Sequence, residues 1–295
     1  MSDPNPSTDP DALTRNAYAN DEHLAVRYRT HELYSRPKVD FPRWVLDNIQ
    51  WRGDEWVLDV GAGPGSYLAP VQERIPRGRH VAGDLSFGMV QQAQAKADAG
   101  EIGLIACDVQ QLPFPEGTFD IVLANHMLYH VPDIDRAIAE ICRVLRRDGL
   151  LLAATNGLQS MKALITLERR ACTLLGYPKT DFAAALNVRG FGLENGLYML
   201  SRHFRAVARY DVFSAFHFPE VEPVVAYLNS SRSLREPLLP DDLAWEDFMS
   251  MVEKLIARHI RHFGELEVQK VTGVLVATNE GGFAADYLHH LDTIP

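Results

Sequence analysis

The chain has 295 residues, of which 46% are hydrophobic and 23% charged, a composition typical of a globular protein. Lys and Arg total 29 against 39 Asp and Glu, so the formal net charge is −10 at pH 7. Proteins that follow nucleic-acid phosphates are usually basic, and no dense block of Lys and Arg occurs here. We therefore expect neither nucleic acid nor a membrane as a partner.

The N-terminus and the cysteines bear on location and metal binding. The first ten residues are polar, acidic and rich in proline, unlike the basic and then apolar start of a secretory signal. No uncharged apolar run approaches the roughly 20 residues that cross a bilayer. Cys107, Cys142 and Cys172 lack metal-ligand spacing. These features predict a soluble, cytoplasmic protein with buried cysteines and no metal site.

The first half of the chain predicts an alternating α/β fold. Helical spacing extends from Thr14 to Gln50, with an interruption near Arg36-Pro37. Five β-rich runs then alternate with helical segments; these runs are Trp56–Val60, His80–Asp84, Leu104–Asp108, Phe119–Asn125 and Leu150–Thr155. Such alternation predicts right-handed crossovers and a parallel sheet covered on both faces. Ligands of such sheets bind beyond the carboxyl ends of the strands.

The second half of the chain breaks this rhythm. A mostly helical stretch leads to a strand that starts at Ala206, and a second helical stretch leads to the last strand, Lys270–Thr278. We interpret both stretches as insertions into one domain. The predicted segments are an N-terminal tail with lid helices (1–45), a central segment (46–156), a cap insertion (157–203), a C-terminal part of the sheet (204–280) with its helical insertion (221–263), and a tail (281–295).

A glycine-rich turn follows the first strand of the alternating region, in the sequence from Val57 to Ser66. Glycine is needed where φ is positive or where a ligand presses on the backbone, which makes Gly61, Gly63 and Gly65 candidates for a ligand-binding turn. The turn could instead be a plain strand-to-helix connection. It could also be a dinucleotide fingerprint, GxGxxG, although Ser66 replaces the third glycine.

Polar residues also follow the next strands. Asp84 could accept hydrogen bonds from the ribose hydroxyls of a nicotinamide cofactor or of another adenosine ligand, or it could cap the following helix. Asp108, followed by the apolar Val109, suits an adenine amino group and its ring. His126 and His130 lie just after the fourth strand. All of these residues are expected at the same edge of the sheet.

This ordered set resembles the class I S-adenosylmethionine-dependent methyltransferases, particularly the small-molecule branch that includes the ubiquinone and menaquinone methyltransferases. The matching pieces are residues 59–65, 84, 107–114, 119–125, 130–133 and 145–152. The resemblance covers roughly residues 45–156. It implies a seven-stranded, mostly parallel Rossmann-like sheet with helices on both faces, an antiparallel last strand and a helical cap. It also implies S-adenosylmethionine as cofactor, with S-adenosylhomocysteine as product.

The resemblance implies roles for residues that would bind this cofactor. Asp59, Gly61 and Gly63 would line its methionine part, and the backbone of Asn125 would approach the amino-acid end. Asp84 would hold the ribose hydroxyls.

The adenine ring has its own implied contacts. Leu85 and Met89 would lie beside it, Asp108 would accept from its amino group, and Val109 would pack on the ring. Family members often cover the cofactor with an aromatic residue of the N-terminal helices, for which Tyr18 or Tyr34 is a candidate here, although each could equally be a core or surface residue.

The expected reaction is transfer of the methyl group to a small organic acceptor by in-line displacement. His126 or His130 could act as general base, because the pKa of histidine lies near neutrality, or both could be structural. Two alternatives stay open: a protein that binds S-adenosylmethionine as a regulator or partner subunit without turnover, and an NAD(P)-dependent oxidoreductase, which Ser66 and Asp108 disfavour.

A basic set in the second insertion could bind an anionic acceptor, but a solvated helix face is the favoured interpretation. The set comprises Arg232, Arg235, Arg258, His259, Arg261 and His262.

Overall fold

The computed structural model describes residues 22–97, 102–180 and 190–285, together with Thr8. The chain divides into two compact units. The core unit comprises Val39–Asn156, Gly190–Asp211 and Thr272–Pro295; the insertion unit comprises Met1–Lys38, Gly157–Arg189 and Val212–Val271. The central segment predicted from the sequence (46–156) falls within the core unit, whereas the predicted cap insertion (157–203) is divided between the two units.

One mixed sheet is described, with strand order β1-β7-β8-β6-β5-β2-β3-β4. Its strands are β1 (Ser35–Arg36), β2 (Trp56–Val60), β3 (Arg79–Asp84), β4 (Ile102–Ala106), β5 (Phe119–Leu123), β6 (Leu145–Asn156), β7 (Ala206–Phe218) and β8 (Leu266–Thr278). Neighbours from β6 to β4 pair in parallel, whereas β8 runs antiparallel to β6 and β1 antiparallel to β7. The Rossmann-like fold class and the antiparallel last strand are therefore confirmed.

The predicted count of seven strands is corrected to eight among the described residues. The additional strand is the two-residue β1, which the sequence analysis took for an interruption between helices. Pro37 follows it directly, after a cis peptide bond with Arg36. Proline has no backbone N–H and cannot continue a helix, so the chain leaves the helical conformation here and pairs with β7 instead.

Ten α-helices are described. They are α1 (Glu22–Tyr34), α2 (Phe41–Leu46), α3 (Leu68–Arg74), α4 (Phe87–Lys96), α5 (Ile134–Val144), α6 (Lys162–Leu174), α7 (Leu193–Leu200), α8 (Glu222–Asn229), α9 (Arg232–Arg235) and α10 (Trp245–Phe263). The helical segment predicted from Thr14 to Gln50, with its interruption near Arg36-Pro37, corresponds to α1 and α2, and its first residues lie outside the described part.

In the core unit β5 is buried along its whole length and β2 from Val57 to Val60, as expected for a parallel sheet with both faces covered. Val57, Ile121 and Leu123 pack in one cluster with residues of α2 and α3. Leu58 and Val122 alternate with them and therefore face the opposite side of the sheet, where they are fully buried. Because β2 and β5 pair in parallel, their carboxyl ends lie next to each other.

The insertion unit has its own apolar core, built mainly from α6, α8 and α10. α10 buries residues at helical spacing, among them Phe248, Val252 and Ile256. No helix in the described residues is long and apolar enough to cross a membrane. Nor do these residues contain a group of three or more His, Cys, Asp or Glu side chains that could hold a metal ion.

Candidate functional site

The glycine turn joins β2 to α3 with positive φ at three glycines: 66° at Gly61, 55° at Gly63 and 83° at Gly65. A Cβ added to Gly61 would lie 2.6 Å from Cβ of Met127, so this position tolerates only glycine on steric grounds. Around Gly63 no heavy atom of the described residues lies within 4 Å of the corresponding point. The turn is therefore closely packed at Gly61 and open at Gly63, where a ligand can approach the backbone.

Asp84, at the end of β3, connects this turn to the neighbouring strand. Its Oδ2 accepts a hydrogen bond from the Gly63 N–H (2.9 Å), and its Oδ1 accepts one from the Ser86 N–H (2.8 Å). Burial raises the pKa of Asp84, and these backbone hydrogen bonds oppose the rise. Because each carboxylate oxygen can accept more than one hydrogen bond, Asp84 can brace the turn and still bind ligand hydroxyls.

Two buried polar atoms beside the turn have no hydrogen-bond partner among the described residues: Oδ2 of Asp59 and Nδ2 of Asn125. The two residues lie on adjacent strands, since Asp59 pairs with Leu123, two positions before Asn125. The Asn125 Oδ1 accepts from the Ala154 N–H (3.2 Å). Unsatisfied buried polar atoms are costly and are typical of ligand-binding sites. The amide of Asn125 adds a side-chain donor where only a backbone contact was predicted.

The protonation of Asp59 is set by its surroundings. Its carboxyl group is 1% exposed. Burial, with a smaller contribution from the negative charge of Asp84, raises its pKa to about 8. Asp59 therefore carries a proton at neutral pH when no cationic group lies beside it.

The predicted adenine contacts lie at the ends of β3 and β4 and in the first turn of α4. Leu85 is 45% exposed and can offer an apolar surface to an aromatic ring, whereas Met89 and Val109 are buried. The Asp108 Oδ1 accepts a hydrogen bond from the Gln110 N–H (2.8 Å). Phe87, which is 66% exposed, was missed by the sequence analysis. Its signal is a large apolar residue in the first turn of α4, outside the buried stripe of that helix.

Cys107 directly precedes Asp108 in the sequence and lies near both Asp84 and Asp108. Burial, together with the negative charges of Asp84 and Asp108, raises the pKa of its thiol to about 11. Its Sγ lies 2.7 Å from the point that a Cβ on Gly83 would occupy, so it packs closely on β3.

The two candidate bases follow β5. His126 adopts a positive φ of 54°, which is uncommon for a residue other than glycine, and its ring lies 5.4 Å from that of Phe41. Burial and the nearby His130 lower the pKa of His126 to about 4. The expectation of a near-neutral pKa is therefore wrong for His126. His130 ends a 3₁₀ turn, and its ring lies 4.6 Å from that of Tyr129.

The structure describes only one of the two tyrosines that were predicted to cover the cofactor. Tyr18 lies outside the described residues. Tyr34 belongs to the insertion unit, where its ring lies 5.1 Å from that of Phe218 and packs on the apolar core of that unit. This contact favours the core role for Tyr34.

The basic set of the second insertion is not a uniform solvated face. Arg232 is exposed and pairs with Glu236 and Glu246. Arg235 is instead buried and donates to Glu168, with 2.5 Å between Nη1 and Oε1. The interpretation of a solvated face is therefore wrong for Arg235, because a partner carboxylate on α6 compensates its charge.

Comparison with protein families identifies the region that contains the turn and these strand ends. Residues 58–153 match a family described as a methyltransferase domain. This match agrees with the predicted resemblance, and the matched family is not one of NAD(P)-dependent oxidoreductases.

Relatives and solved structures resemble the chain over different lengths. A malonyl-[acyl-carrier protein] O-methyltransferase of Legionella pneumophila is 33% identical over 37% of this chain and 39% of the relative. A ubiquinone/menaquinone biosynthesis C-methyltransferase of Desulfotalea psychrophila is 33% identical over 36% of this chain and 44% of the relative. The chain thus spans less than half the length of these relatives.

The fold of the wider chain is similar to that of a solved methyltransferase. The phosphoethanolamine N-methyltransferase 2 of Haemonchus contortus, solved in complex with S-adenosylhomocysteine, shows 15% identity and a TM-score of 0.55, over 92% of this chain and 60% of that one. At this identity the likeness concerns the fold alone.

The residues of the methyltransferase domain fit S-adenosylmethionine, the predicted cofactor. The open backbone at Gly63 leaves room above the turn, and the orphaned Oδ2 of Asp59 suits a cationic group such as an ammonium or a sulfonium. Nδ2 of Asn125 is a donor for a carboxylate. The donor set of the site thus matches an amino acid attached to a cationic sulfur.

Proposed function

We propose that the protein is an S-adenosylmethionine-dependent methyltransferase that acts on a small organic acceptor. One observation carries the proposal: the segment that matches the methyltransferase domain places an open glycine turn next to an unsatisfied, buried carboxyl oxygen. A polar, cationic cofactor could bind in the open space above the glycine turn. It would there form the hydrogen bonds or ion pairs that the buried polar atoms lack.

The roles proposed for the cofactor-binding residues follow their positions. Asp59 and Asn125, with the backbone at Gly61 and Gly63, bind the amino-acid part. Asp84 holds the turn in place through the Gly63 N–H and accepts from the ribose hydroxyls.

The adenine side is formed by Leu85, Met89, Asp108 and Val109, among which Leu85 offers the exposed apolar surface. When bound, S-adenosylmethionine supplies a methyl group activated by its positive sulfur.

The proposed mechanism is in-line displacement, in which the chain aligns the acceptor and excludes water. His126 is neutral at pH 7 and is a weak base, since its pKa is about 4. A weak base suits an acceptor that loses its proton late. His126 and His130 remain the proposed bases. In this mechanism, alignment of the acceptor accelerates methyl transfer more than proton transfer to a histidine does.

The acceptor is proposed to be a small molecule rather than a nucleic acid. The net charge of −10 supports this choice, because phosphate-binding proteins are usually basic. The relatives are named for malonyl-[acyl-carrier protein], ubiquinone and menaquinone, so the printed names also include carrier-bound and lipid-soluble acceptors.

Gly63→Ala and Gly117→Ala form a matched pair that tests the proposal. Both glycines have positive φ, 55° and 65°, and neither has a heavy atom of the described residues within 4 Å of an added Cβ. Each substitution should therefore cost about 1 kcal/mol of backbone strain. Calorimetric titration with S-adenosylhomocysteine should show at least about tenfold weaker binding for Gly63→Ala alone, because the new methyl group occupies the approach to the turn.

Equal affinities in the two variants would contradict cofactor binding at this turn, as would binding of NAD or NADP in place of S-adenosylhomocysteine. Turnover is measured separately, by transfer of a tritiated methyl group from S-adenosylmethionine to candidate acceptors. Cofactor binding without transfer to any acceptor would favour the regulatory alternative. Unchanged turnover in both His126→Ala and His130→Ala would remove the proposed bases.

A further inference from the structure

A lysine occupies an inward-facing position of β8, in the insertion unit. Leu266, Val268 and Lys270 alternate with the exposed Glu267 and Gln269. The first two pack in the apolar core of the unit, and the period of two makes Lys270 the next residue on the same face. Lys270 is 6% exposed, and lysine is almost never buried to this extent without a compensating charge.

The ammonium group of Lys270 contacts a hydroxyl, an imidazole and an aromatic ring. Nζ donates to the Ser35 Oγ (2.6 Å) and lies 3.2 Å from the His31 Nδ1. It also lies 3.8 Å from the ring centroid of Phe216. No carboxylate of the described residues forms an ion pair with Nζ. The positive charge of Lys270 thus has no carboxylate counter-ion among the groups described.

The buried ion pair described in this unit does not fill that role. The buried Glu168 is already paired with Arg235, and Tyr227 lies in the electric field of that pair. The ring of Tyr227 lies 5.5 Å from that of Phe216, the ring that Lys270 Nζ also contacts. Burial lowers the pKa of Lys270 to about 8, so its charge is held at a cost that an anion would remove.

The ammonium lies beside a residue that solvent reaches. His31, which contacts Nζ, is itself exposed, whereas the Phe216 ring is buried. One uncompensated charge suits a monoanion, because a dianion would leave a second negative charge buried without a partner.

We propose that the insertion unit contains a binding site for a monoanionic organic acid, whose carboxylate pairs with Lys270. Ser35 and His31 hold the ammonium in place, and Phe216 offers it an aromatic face. The site lies wholly within the insertion unit and does not depend on methyl transfer.

Matched acids and amides test this proposal. The probes are benzoate with benzamide and decanoate with decanamide, titrated calorimetrically into the full chain. The variants are Lys270→Met, which removes the charge and keeps an apolar stem, and Lys270→Arg, which keeps the charge. Lys254→Met removes an exposed lysine of α10, in the same unit, and is the control. Binding of S-adenosylhomocysteine verifies that each variant is folded.

We expect saturable binding of at least one acid and not of its amide. Lys270→Met should weaken this binding at least about tenfold, whereas Lys254→Met should leave it unchanged. Raising the pH from about 7 to about 9.5 should weaken binding to the wild type, as Lys270 loses its charge, but not to Lys270→Arg. His31, the titratable group on α1 that contacts Nζ, is present in both proteins and so cancels in this comparison.

Three results would overturn the proposal. They are equal binding of acid and amide, unchanged acid binding in Lys270→Met, and no acid binding by a wild-type protein that does bind S-adenosylhomocysteine. The last result would leave the proposed methyltransferase function intact, so failure of the two proposals can be distinguished.

Discussion

The protonation state of Asp59 differs between the folded and the unfolded protein. Its oxygen Oδ2 is buried and unsatisfied, and its pKa is raised from 3.8 to about 8. The native protein therefore holds a proton on Asp59 at pH values where the unfolded chain has released it. The folded state binds more protons than the unfolded state between these two pKa values, so this group lowers stability as the pH rises through that window.

Asp59→Asn should remove this pH dependence, because an amide of nearly the same shape does not ionise. Relative to the wild type without ligand, the variant should gain up to roughly 1.4 kcal/mol for each pH unit between about pH 5 and about pH 8. Urea unfolding of both proteins across this range measures the difference. Parallel stability profiles would contradict the raised pKa.

The order of the strand ends could be predicted at the residue scale, whereas the state of their side chains could not. Glycine spacing and the acidic residue after each strand placed Gly63 and Asp84 at one edge of the sheet. The hydrogen bond between them, the orphaned oxygen of Asp59 and the low pKa of His126 depend on burial by residues distant in sequence, which periodicity alone does not reveal.

At the scale of elements, α6 and α9 are joined by the buried pair of Glu168 and Arg235. Removing one partner leaves the other charged and buried, so Arg235→Met should cost about 3–5 kcal/mol of unfolding free energy. Arg232→Met, which breaks exposed ion pairs and a cation–π contact with Trp245, should cost about 1 kcal/mol or less. Urea unfolding measures both costs.

The double variant of Glu168→Gln with Arg235→Met should be less destabilised than the sum of the single variants, because neither buried charge is then left alone. If Arg235→Met were no more destabilising than Arg232→Met, the pair would not be buried in solution. The sequence could not distinguish these two arginines, since they lie three positions apart on a short helix and only the fold brings Glu168 to one of them.

The spacing of apolar residues predicted several elements of the core unit, because each of these elements buries one face. α5 buries Ala137, Ile138, Ile141 and Val144 at helical spacing, so its pattern is unmistakable. The strand that follows was predicted to start at Leu150 but starts at Leu145, because its first residues include two arginines and an aspartate that hide the β pattern. The two-residue β1 is too short to leave any pattern.

At the scale of the whole molecule, the chain passes between the core unit and the insertion unit five times. The segment 39–156, although it contains the whole matched domain, lacks β8, which pairs with β6 from Leu150 to Asn156. A fragment of residues 39–156 would expose the apolar strand β6 as an edge.

We expect this fragment to aggregate or to remain unfolded, whereas the full chain folds. Gel filtration and circular dichroism of both proteins, prepared in the same way, provide the comparison. A monomeric fragment with a cooperative unfolding transition would show that the last strand is dispensable.

The acidic surroundings of Cys107 have a consequence for oxidative stress. With a pKa of about 11, this thiol is ionised in only about one molecule in 10⁴ at pH 7, and the thiol form reacts slowly with peroxides and alkylating agents. Burial, together with the two carboxylates beside it, therefore keeps this sulfur protonated and slow to react.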